Sequence, residues 1–268
     1  MPQSVIQVDA FTSTPFAGNP AAVCVLERPR DEKWMQDVAR EMNLSETAFI
    51  VKHPSENEWL LRWFTPGAEV DLCGHATLAS AHVLFEDSHV SRDGAIHFQT
   101  RSGRLSVRLS GGWLEMDFPA QPAQPAPPPT GLFEALGLEH GAAVYTGYNA
   151  SDWLIALDEP ARVRALAPDM IRLAAIETRG VMVTAPSDDS KYDFISRFFA
   201  PAVGVPEDPV TGSAHCALAP YWADRLNKNE LVGYQASARG GEVRARFEGS
   251  RVQLTGQAVI VLRGELFV

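Results

Sequence analysis

Two periodicities of apolar residues divide the first half of the chain into short elements. Strands are predicted where apolar residues alternate or form short runs, at residues 5–10, 21–26, 46–52 and 58–64. Residues 31–43 favour an amphipathic helix, because Met35, Val38 and Met42 fall on one helical face. A second predicted helix, residues 74–86, is rich in Ala, Thr and Ser, and such small side chains would let a sheet approach closely.

The second half of the chain repeats this order. Residues 74–79 (GHATLA) match residues 212–217 (GSAHCA) at an offset of 138 positions. The same offset aligns four arginines and glycines of the first half with identical residues of the second half: Arg101 with Arg239, Gly103 with Gly241, Arg108 with Arg246, and Gly111 with Gly249. In both copies apolar residues alternate on either side of a glycine, which is typical of a hairpin. We therefore predict a duplicated domain, with residues 212–226 as the second central helix, bent or shortened by Pro220.

A proline-rich stretch marks the predicted boundary between the copies. Six of the twelve residues at 119–130 are proline, which favours an extended connector. This predicts an N-terminal domain over residues 1–118 and a C-terminal domain over residues 131–268. The alternative is a long surface loop within one domain. The pattern leaves open whether the last apolar run, residues 257–262, stays in the second domain or crosses over to complete the first sheet.

Composition excludes several classes of protein. The 268 residues are 46% hydrophobic and carry a net charge of −10, which disfavours binding to nucleic acid. No apolar run approaches the length of a membrane-spanning helix. The start of the sequence has no basic or apolar segment typical of a secretory signal, and three widely spaced cysteines do not form a disulfide framework. We expect a cytoplasmic, reduced protein.

The two predicted helix starts, at residues 71–76 and 208–214, are candidates for ligand binding. Backbone N–H groups at a helix N-terminus carry partial positive charge, and glycine lets an anion approach them. A duplicated fold would aim two such ends at one small carboxylated metabolite. The alternative is that the glycines serve only capping and packing. No Gly-rich nucleotide motif is present, so we expect no nucleotide cofactor.

Three side chains are candidate proton carriers. Glu46 begins an apolar strand, where partial desolvation would raise its pKa toward neutrality. A solvated turn glutamate is the alternative at this position. His75 and Asp208 are the other two candidates, one from each copy.

The cysteines and histidines raise two further possibilities, a thiol-based mechanism and a metal site. Cys73 precedes Gly74 and could serve as one base of a two-base racemase, but the matching residue in the second copy is Thr211. His75, His82 and His89 recur every seven residues, which is too far apart for a single ion without other ligands, so no metal is expected.

Taken together, these motifs resemble those of the phenazine biosynthesis PhzF-like isomerases, which share the diaminopimelate epimerase fold. The resemblance covers essentially the whole chain and rests on residues 8–11 (VDAF), 18–23 (GNPAAV), 45–49 (SETAF), 62–66 (RWFTP), 69–77 (EVDLCGHAT) and 207–214 (EDPVTGSA). It implies an α+β fold of two similar domains, each a curved, mostly antiparallel sheet around a central helix. It also implies a cleft between the domains as active site, no cofactor, and a homodimer.

The resemblance assigns roles to particular residues as well. Glu46 would be the acid/base that moves a proton between carbons of a small carboxylated substrate, and Ser45 would orient it. His75 and Asp208 would bind and polarise the substrate. Backbone groups would hold its polar and anionic parts, at Gly74, Gly212 and Ser213. The type reaction of the family is the isomerisation of a dihydro-hydroxyanthranilate.

Two other functions stay open at this point. One is a two-base amino-acid racemase or epimerase, because Cys73 stands where the epimerases place a catalytic thiol. The other is a non-catalytic binding protein that retains the fold.

Overall fold

The computed structural model describes residues 2–55 and 58–268 of the chain. The strands, in chain order, are β1 (Gln3–Ala10), β2 (Asn19–Leu26), β3 (Glu46–Lys52), β4 (Glu58–Phe64), β5 (Glu69–Val70), β6 (Ala95–Thr100), β7 (Gly103–Ser110), β8 (Trp113–Pro119), β9 (Gln124–Pro125), β10 (Tyr145–Tyr148), β11 (Asp152–Ala156), β12 (Gly180–Pro186), β13 (Phe194–Ala200), β14 (Val205–Asp208), β15 (Glu230–Gln235), β16 (Gly241–Glu248), β17 (Arg251–Gly256) and β18 (Ala258–Leu266). The α-helices are α1 (Glu32–Met42), α2 (Gly74–Glu86), α3 (Leu132–Leu136), α4 (Pro160–Ala165), α5 (Met170–Ala174) and α6 (Gly212–Leu226).

The chain forms two compact units. The first contains Met1–Phe118 together with Gln253–Val268, and the second contains Pro119–Val252. The final strand β18 thus lies in the first unit, where it pairs antiparallel with β1. The proline-rich residues 119–130 do not stand apart as a linker. They belong to the second unit, where β9 pairs with the end of β10.

In the first unit, the sheet is mixed but mostly antiparallel. Its strand order is β18-β1-β2-β3-β4-β6-β7-β8, and only the pairs β2–β3 and β4–β6 are parallel. Helix α1 crosses between the parallel strands β2 and β3, and its first turn is capped by Asp31, whose carboxylate accepts from the Trp34 N–H. Helix α2 follows β5 and precedes β6 in the chain, and it packs against β1, β2, β3 and β18.

The second unit repeats this pairing pattern. Strands β11 and β12 are parallel, β12–β13 and β13–β14 are antiparallel, β13–β15 is parallel, and β15–β16 is antiparallel. The same sequence of directions links β2 through β7 in the first unit. Helix α6 takes the place of α2, because it follows the short strand β14 and precedes β15. The duplicated α+β fold expected from the sequence is therefore confirmed.

The two central helices owe their burial to their composition. Small residues occupy much of α2 and α6, and nearly every residue of α2 is shielded from solvent. Of the two effects expected of Pro220, a bend or a shortening of α6, the shortening does not occur, because the helix continues to Leu226. Pro220 has no N–H for the Cys216 carbonyl, and the backbone N–H of Gln121 donates to that oxygen instead, at 2.9 Å.

Each unit has its own hydrophobic core. In the first unit a cluster around Phe49 and Phe64 packs under α1. In the second, a cluster lies around Ile155, Val183 and Phe199. Among the described helices, none has both the length and the hydrophobicity that crossing a membrane requires.

Candidate active site

His75 lies at the N-terminal end of the central helix of the first unit. It is the second residue of α2, after Cys73 at the N-cap and Gly74 at the first helical position. Its side chain is only 5% exposed. Because the ring is buried among the first turn of α2 and the starts of two strands, each of its nitrogens faces a polar group.

Two parallel strands bring these polar groups to the ring. Strands β2 and β3 begin with Asn19 and Glu46 at the same edge of the sheet, with Ala21 opposite Glu46 in the register. Nε2 of His75 lies 3.0 Å from Oε2 of Glu46, and Nδ1 lies 3.1 Å from the Asn19 amide nitrogen. Sγ of Cys73 lies 3.5 Å from the same Nδ1 atom. The structure thus brings Glu46 and His75 into contact at the start of α2.

The contact between Glu46 and His75 is an ion pair rather than an aligned hydrogen bond. Oε2 of Glu46 and Nε2 of His75 are both shielded from solvent, and within the described residues neither has a hydrogen-bond partner of good geometry. The Glu46 side chain as a whole is 15% exposed. Both groups therefore keep hydrogen-bonding capacity for a third molecule, in a place where water is largely excluded.

Burial and charge set the protonation of this cluster. Burial of the His75 ring works against its charge, but the Cys73 sulfur and the Glu46 carboxylate outweigh burial and raise the pKa of His75 well above its usual value. Burial, reinforced by the Glu46 charge, raises the pKa of Cys73 to about 11. Cys73 is therefore a neutral thiol near pH 7, which makes it a poor base.

The same three side chains have the chemistry of metal ligands. One carboxylate oxygen of Glu46, one ring nitrogen of His75 and the sulfur of Cys73 lie within 4.8 Å of one another. Carboxylate, imidazole and thiolate are the donors that Zn²⁺ prefers. A metal would require the Cys73 thiol to lose its proton, against the burial that raises its pKa.

Two further residues of the first unit, Gly74 and Ser45, directly precede His75 and Glu46 in the sequence. Gly74 opens α2 as expected. Ser45 directly precedes Glu46 and is partly buried. In the described part of the chain its hydroxyl makes no hydrogen bond to Glu46, so the orienting role of Ser45 stays a prediction.

In the second unit, Asp208 ends β14, and Gly212 and Ser213 begin α6 after a short loop. The Asp208 carboxylate accepts a hydrogen bond of 2.6 Å from the Thr211 hydroxyl. Gln235, at the end of β15 and fully buried, fastens this loop. Its amide donates to the Asp208 carbonyl at 2.7 Å and accepts from the Thr211 N–H at 2.8 Å. The loop is therefore held in one conformation at the start of α6.

Sequence reasoning missed three polar residues of these sites. Asn19 lies within the motif at residues 18–23, but the sequence predicts no role for it. The sequence also does not single out Gln235 or Arg179. Arg179 donates to both carboxylate oxygens of the buried Asp152 and, at 3.1 Å, to the Ser213 hydroxyl. Asn19 begins strand β2 and Arg179 directly precedes strand β12, so the apolar run that follows each residue is the signal that could have found them.

Comparisons with known proteins give the chain its relatives. The family model described as phenazine biosynthesis-like protein matches residues 8–264. An uncharacterized isomerase of Halalkalibacterium halodurans is 54% identical over 269 residues, covering 100% of both chains. The crystal structure of a phenazine biosynthesis protein of the PhzF family from Enterococcus faecalis has a TM-score of 0.93, with 41% identity and 100% of each chain covered. A predicted epimerase from Pseudomonas aeruginosa shares the fold, with a TM-score of 0.76 at 21% identity, over 99% of each chain.

Proposed function

Because the chain belongs to the phenazine biosynthesis-like family, whose PhzF-type members include relatives named isomerases, we propose that it is an isomerase that needs no cofactor. Its reaction moves a proton between carbons of a small carboxylated metabolite. Glu46 is the general acid/base of this reaction.

The observation that carries the proposal is the buried contact between Glu46 and His75. The Glu46 carboxylate lies 3.0 Å from the His75 imidazole, and its Oε2 is buried without a hydrogen-bond partner among the described residues, so this oxygen is available to accept a proton from a C–H group. The electron pair left on the substrate is delocalised into its conjugated system. Glu46, now a carboxylic acid, returns the proton to another carbon, so that the enzyme ends in its starting state.

The remaining predicted residues are proposed to bind the substrate. His75 supplies a buried positive charge that stabilises negative charge developing on the substrate. Asp208, together with the backbone at Gly74 and Gly212 and the Ser213 hydroxyl, is proposed to hold polar and anionic groups of the same molecule. Replacement of Asp208 by Asn should therefore raise KM more than it lowers the rate of proton transfer.

The two alternatives left by the sequence predict different behaviour. A two-base racemase needs Cys73 as a thiolate near neutral pH, and the pKa of about 11 opposes this. A non-catalytic binding protein needs no proton carrier at all. Neither alternative gains support from the geometry of the first unit.

The experiment is a screen of small carboxylated metabolites in D₂O, read by NMR and mass spectrometry for deuterium uptake into carbon positions. Glu46→Gln should lose about 10²-fold or more of the uptake seen with the wild type. Glu115→Gln is the matched control, because Glu115 is also a partly buried glutamate of the first unit, and its carboxylate accepts a hydrogen bond from Gln253. Wild-type uptake that persists at full rate in Glu46→Gln would refute the role of Glu46.

We extend the proposal to a cytoplasmic homodimer. Three free, buried cysteines suit a reducing compartment. Sedimentation at micromolar concentration should give twice the 29.2 kDa mass of one chain. A single species at 29.2 kDa would refute the dimer.

A further inference from the structure

The duplication places a second set of polar residues where the first unit holds its proton carriers. In the first unit the parallel strands β2 and β3 begin with Asn19 and Glu46. In the second unit the parallel strands β11 and β12 begin with Asp152 and Gly180, and Arg179 comes directly before Gly180. Equivalent strand ends next to a central helix therefore carry polar side chains in both units.

Arg179 is held in place from several sides. Its Nε and Nη2 donate to the two carboxylate oxygens of Asp152, a residue with no solvent exposure. The guanidinium carbon lies 5.6 Å from the centre of the Phe198 ring. Its backbone N–H donates to the Ser151 carbonyl at 2.9 Å. The side chain is therefore ordered before any ligand arrives, which lowers the entropic cost of binding.

The hydrogen bonds of Arg179 leave donors unused. A guanidinium has five N–H groups. Three are directed to Asp152 and to the Ser213 hydroxyl. Within the described residues, the two N–H groups on Nη1 have no acceptor. Because the side chain is 40% exposed, these groups can be reached from solvent.

Arg179 also keeps its charge. Burial of the guanidinium opposes that charge, but the hydrogen bonds and charge of Asp152, together with the charge of Asp208, raise the pKa of Arg179 above its usual value. Ser213, which Arg179 contacts, is the second residue of α6, so the backbone N–H groups of that helix start lie beside the guanidinium. The free N–H groups of Nη1 and the backbone N–H groups of the helix start are donors for an anion, and a carboxylate, with its two oxygens, can accept from both.

We propose that Arg179 binds the carboxylate of the substrate, with the Ser213 hydroxyl and Asp152 holding the guanidinium in position. This inference rests on the proposed function, because it names the group that recognises the acid of the proposed metabolite. Asp152 acts here as a positioning residue, and Arg179 is the residue that makes the charge-assisted contact.

The test uses benzoate as probe and benzamide as its neutral counterpart. Benzoate offers no proton for transfer, so its binding is independent of whether Glu46 performs proton transfer. In ¹H–¹⁵N spectra of protein labelled with ¹⁵N-arginine, the Nε–H signal that is lost in the double variant Asp152→Asn with Arg179→Gln identifies Arg179. Millimolar benzoate should shift this signal saturably, and benzamide should not.

Variants separate anion binding from a purely structural ion pair. Arg179→Gln leaves Asp152 buried without its partner and can fail to fold. The double variant Asp152→Asn with Arg179→Gln removes both charges and keeps amide hydrogen bonding, so it should restore the fold. Arg172→Gln is the matched control, because Arg172 is an exposed arginine of the same unit that pairs with Asp169.

The two interpretations predict opposite results for the double variant. If Arg179 binds the carboxylate, benzoate affinity falls at least about tenfold in the double variant and is unchanged in Arg172→Gln. Wild-type affinity in a folded double variant would overturn the proposal, and so would the absence of a saturable shift at Arg179 in the wild type. Deuterium uptake that depends on Glu46, found together with either of these results, would leave the isomerase function intact and remove only the role of Arg179.

Discussion

His215 gives a stability prediction whose magnitude follows from the structure. The ring lies on α6 with no solvent exposure, and its Nδ1 is 2.8 Å from the Thr211 carbonyl oxygen. A carbonyl only accepts, so Nδ1 carries the proton. Nε2 is buried with no hydrogen-bond partner among the residues described. Burial lowers the pKa of His215 to about 4, against a smaller opposite effect of the Thr211 carbonyl.

The sign follows from proton linkage. The unfolded chain binds a proton at His215 near pH 6.5, whereas the folded protein does so only near pH 4. The stability that neutral His215 contributes is therefore complete above pH 6.5 and is lost as the pH falls toward 4. Two and a half pH units correspond to roughly 3 kcal/mol of unfolding free energy, at about 1.4 kcal/mol per unit.

The perturbation is His215→Asn, which keeps an N–H for the Thr211 carbonyl but cannot titrate. Urea unfolding, followed by tryptophan fluorescence at a series of pH values, gives the unfolding free energy of each protein. Between pH 6.5 and 4 the wild type should lose about 3 kcal/mol more than the variant. The control is His140→Asn, a matched substitution at a histidine of the same unit whose side chain is 80% exposed. Parallel curves for the wild type and His215→Asn would refute the reasoning.

Two further predictions concern the first unit. Cys73→Ala should keep at least about half of the deuterium uptake, because a thiol with a pKa of about 11 is largely protonated at pH 7. For the same reason, iodoacetamide at pH 7 should label Cys73 of the wild type far more slowly than a free cysteine. Loss of all uptake in Cys73→Ala would instead support the two-base racemase. Asp31→Ala removes the side chain that caps α1 and should lower the unfolding free energy by about 1 kcal/mol in urea titrations without changing turnover, whereas an unchanged midpoint would contradict the capping role.

Much of the fold follows from local pattern. The predicted strand at residues 46–52 matches β3, and the predicted helices at 74–86 and 212–226 match α2 and α6. These elements are periodic or rich in small residues, so their type depends little on distant contacts. The effect of Pro220 could not be predicted from local pattern. The Cys216 carbonyl, which lacks an N–H partner at Pro220, accepts from Gln121, almost a hundred positions earlier in the chain.

The candidate site was less accessible to sequence reasoning. Glu46 and His75 belong to motifs and could be named through resemblance. The contact of Asn19 with His75 depends on the pairing of β2 with β3, and that of Gln235 with Asp208 depends on where β15 ends relative to α6. Which side chains meet across paired strands depends on the register of those strands, and the neighbouring residues in the sequence do not indicate it. These contacts were therefore found only in the structure.

The way the two units have diverged supports a single proton carrier. Glu46 begins the second parallel strand of its unit, and Gly180 begins the corresponding strand of the other. A Cβ atom at Gly180 would lie 2.3 Å from the Phe198 ring, so this position cannot carry a glutamate without displacing that ring. A two-base enzyme needs a base from each side of the reacting carbon, yet the positions matching Glu46 and Cys73 hold Gly180 and Thr211. One glutamate that takes a proton from one carbon and returns it to another fits these residues better than stereochemical inversion at a single carbon.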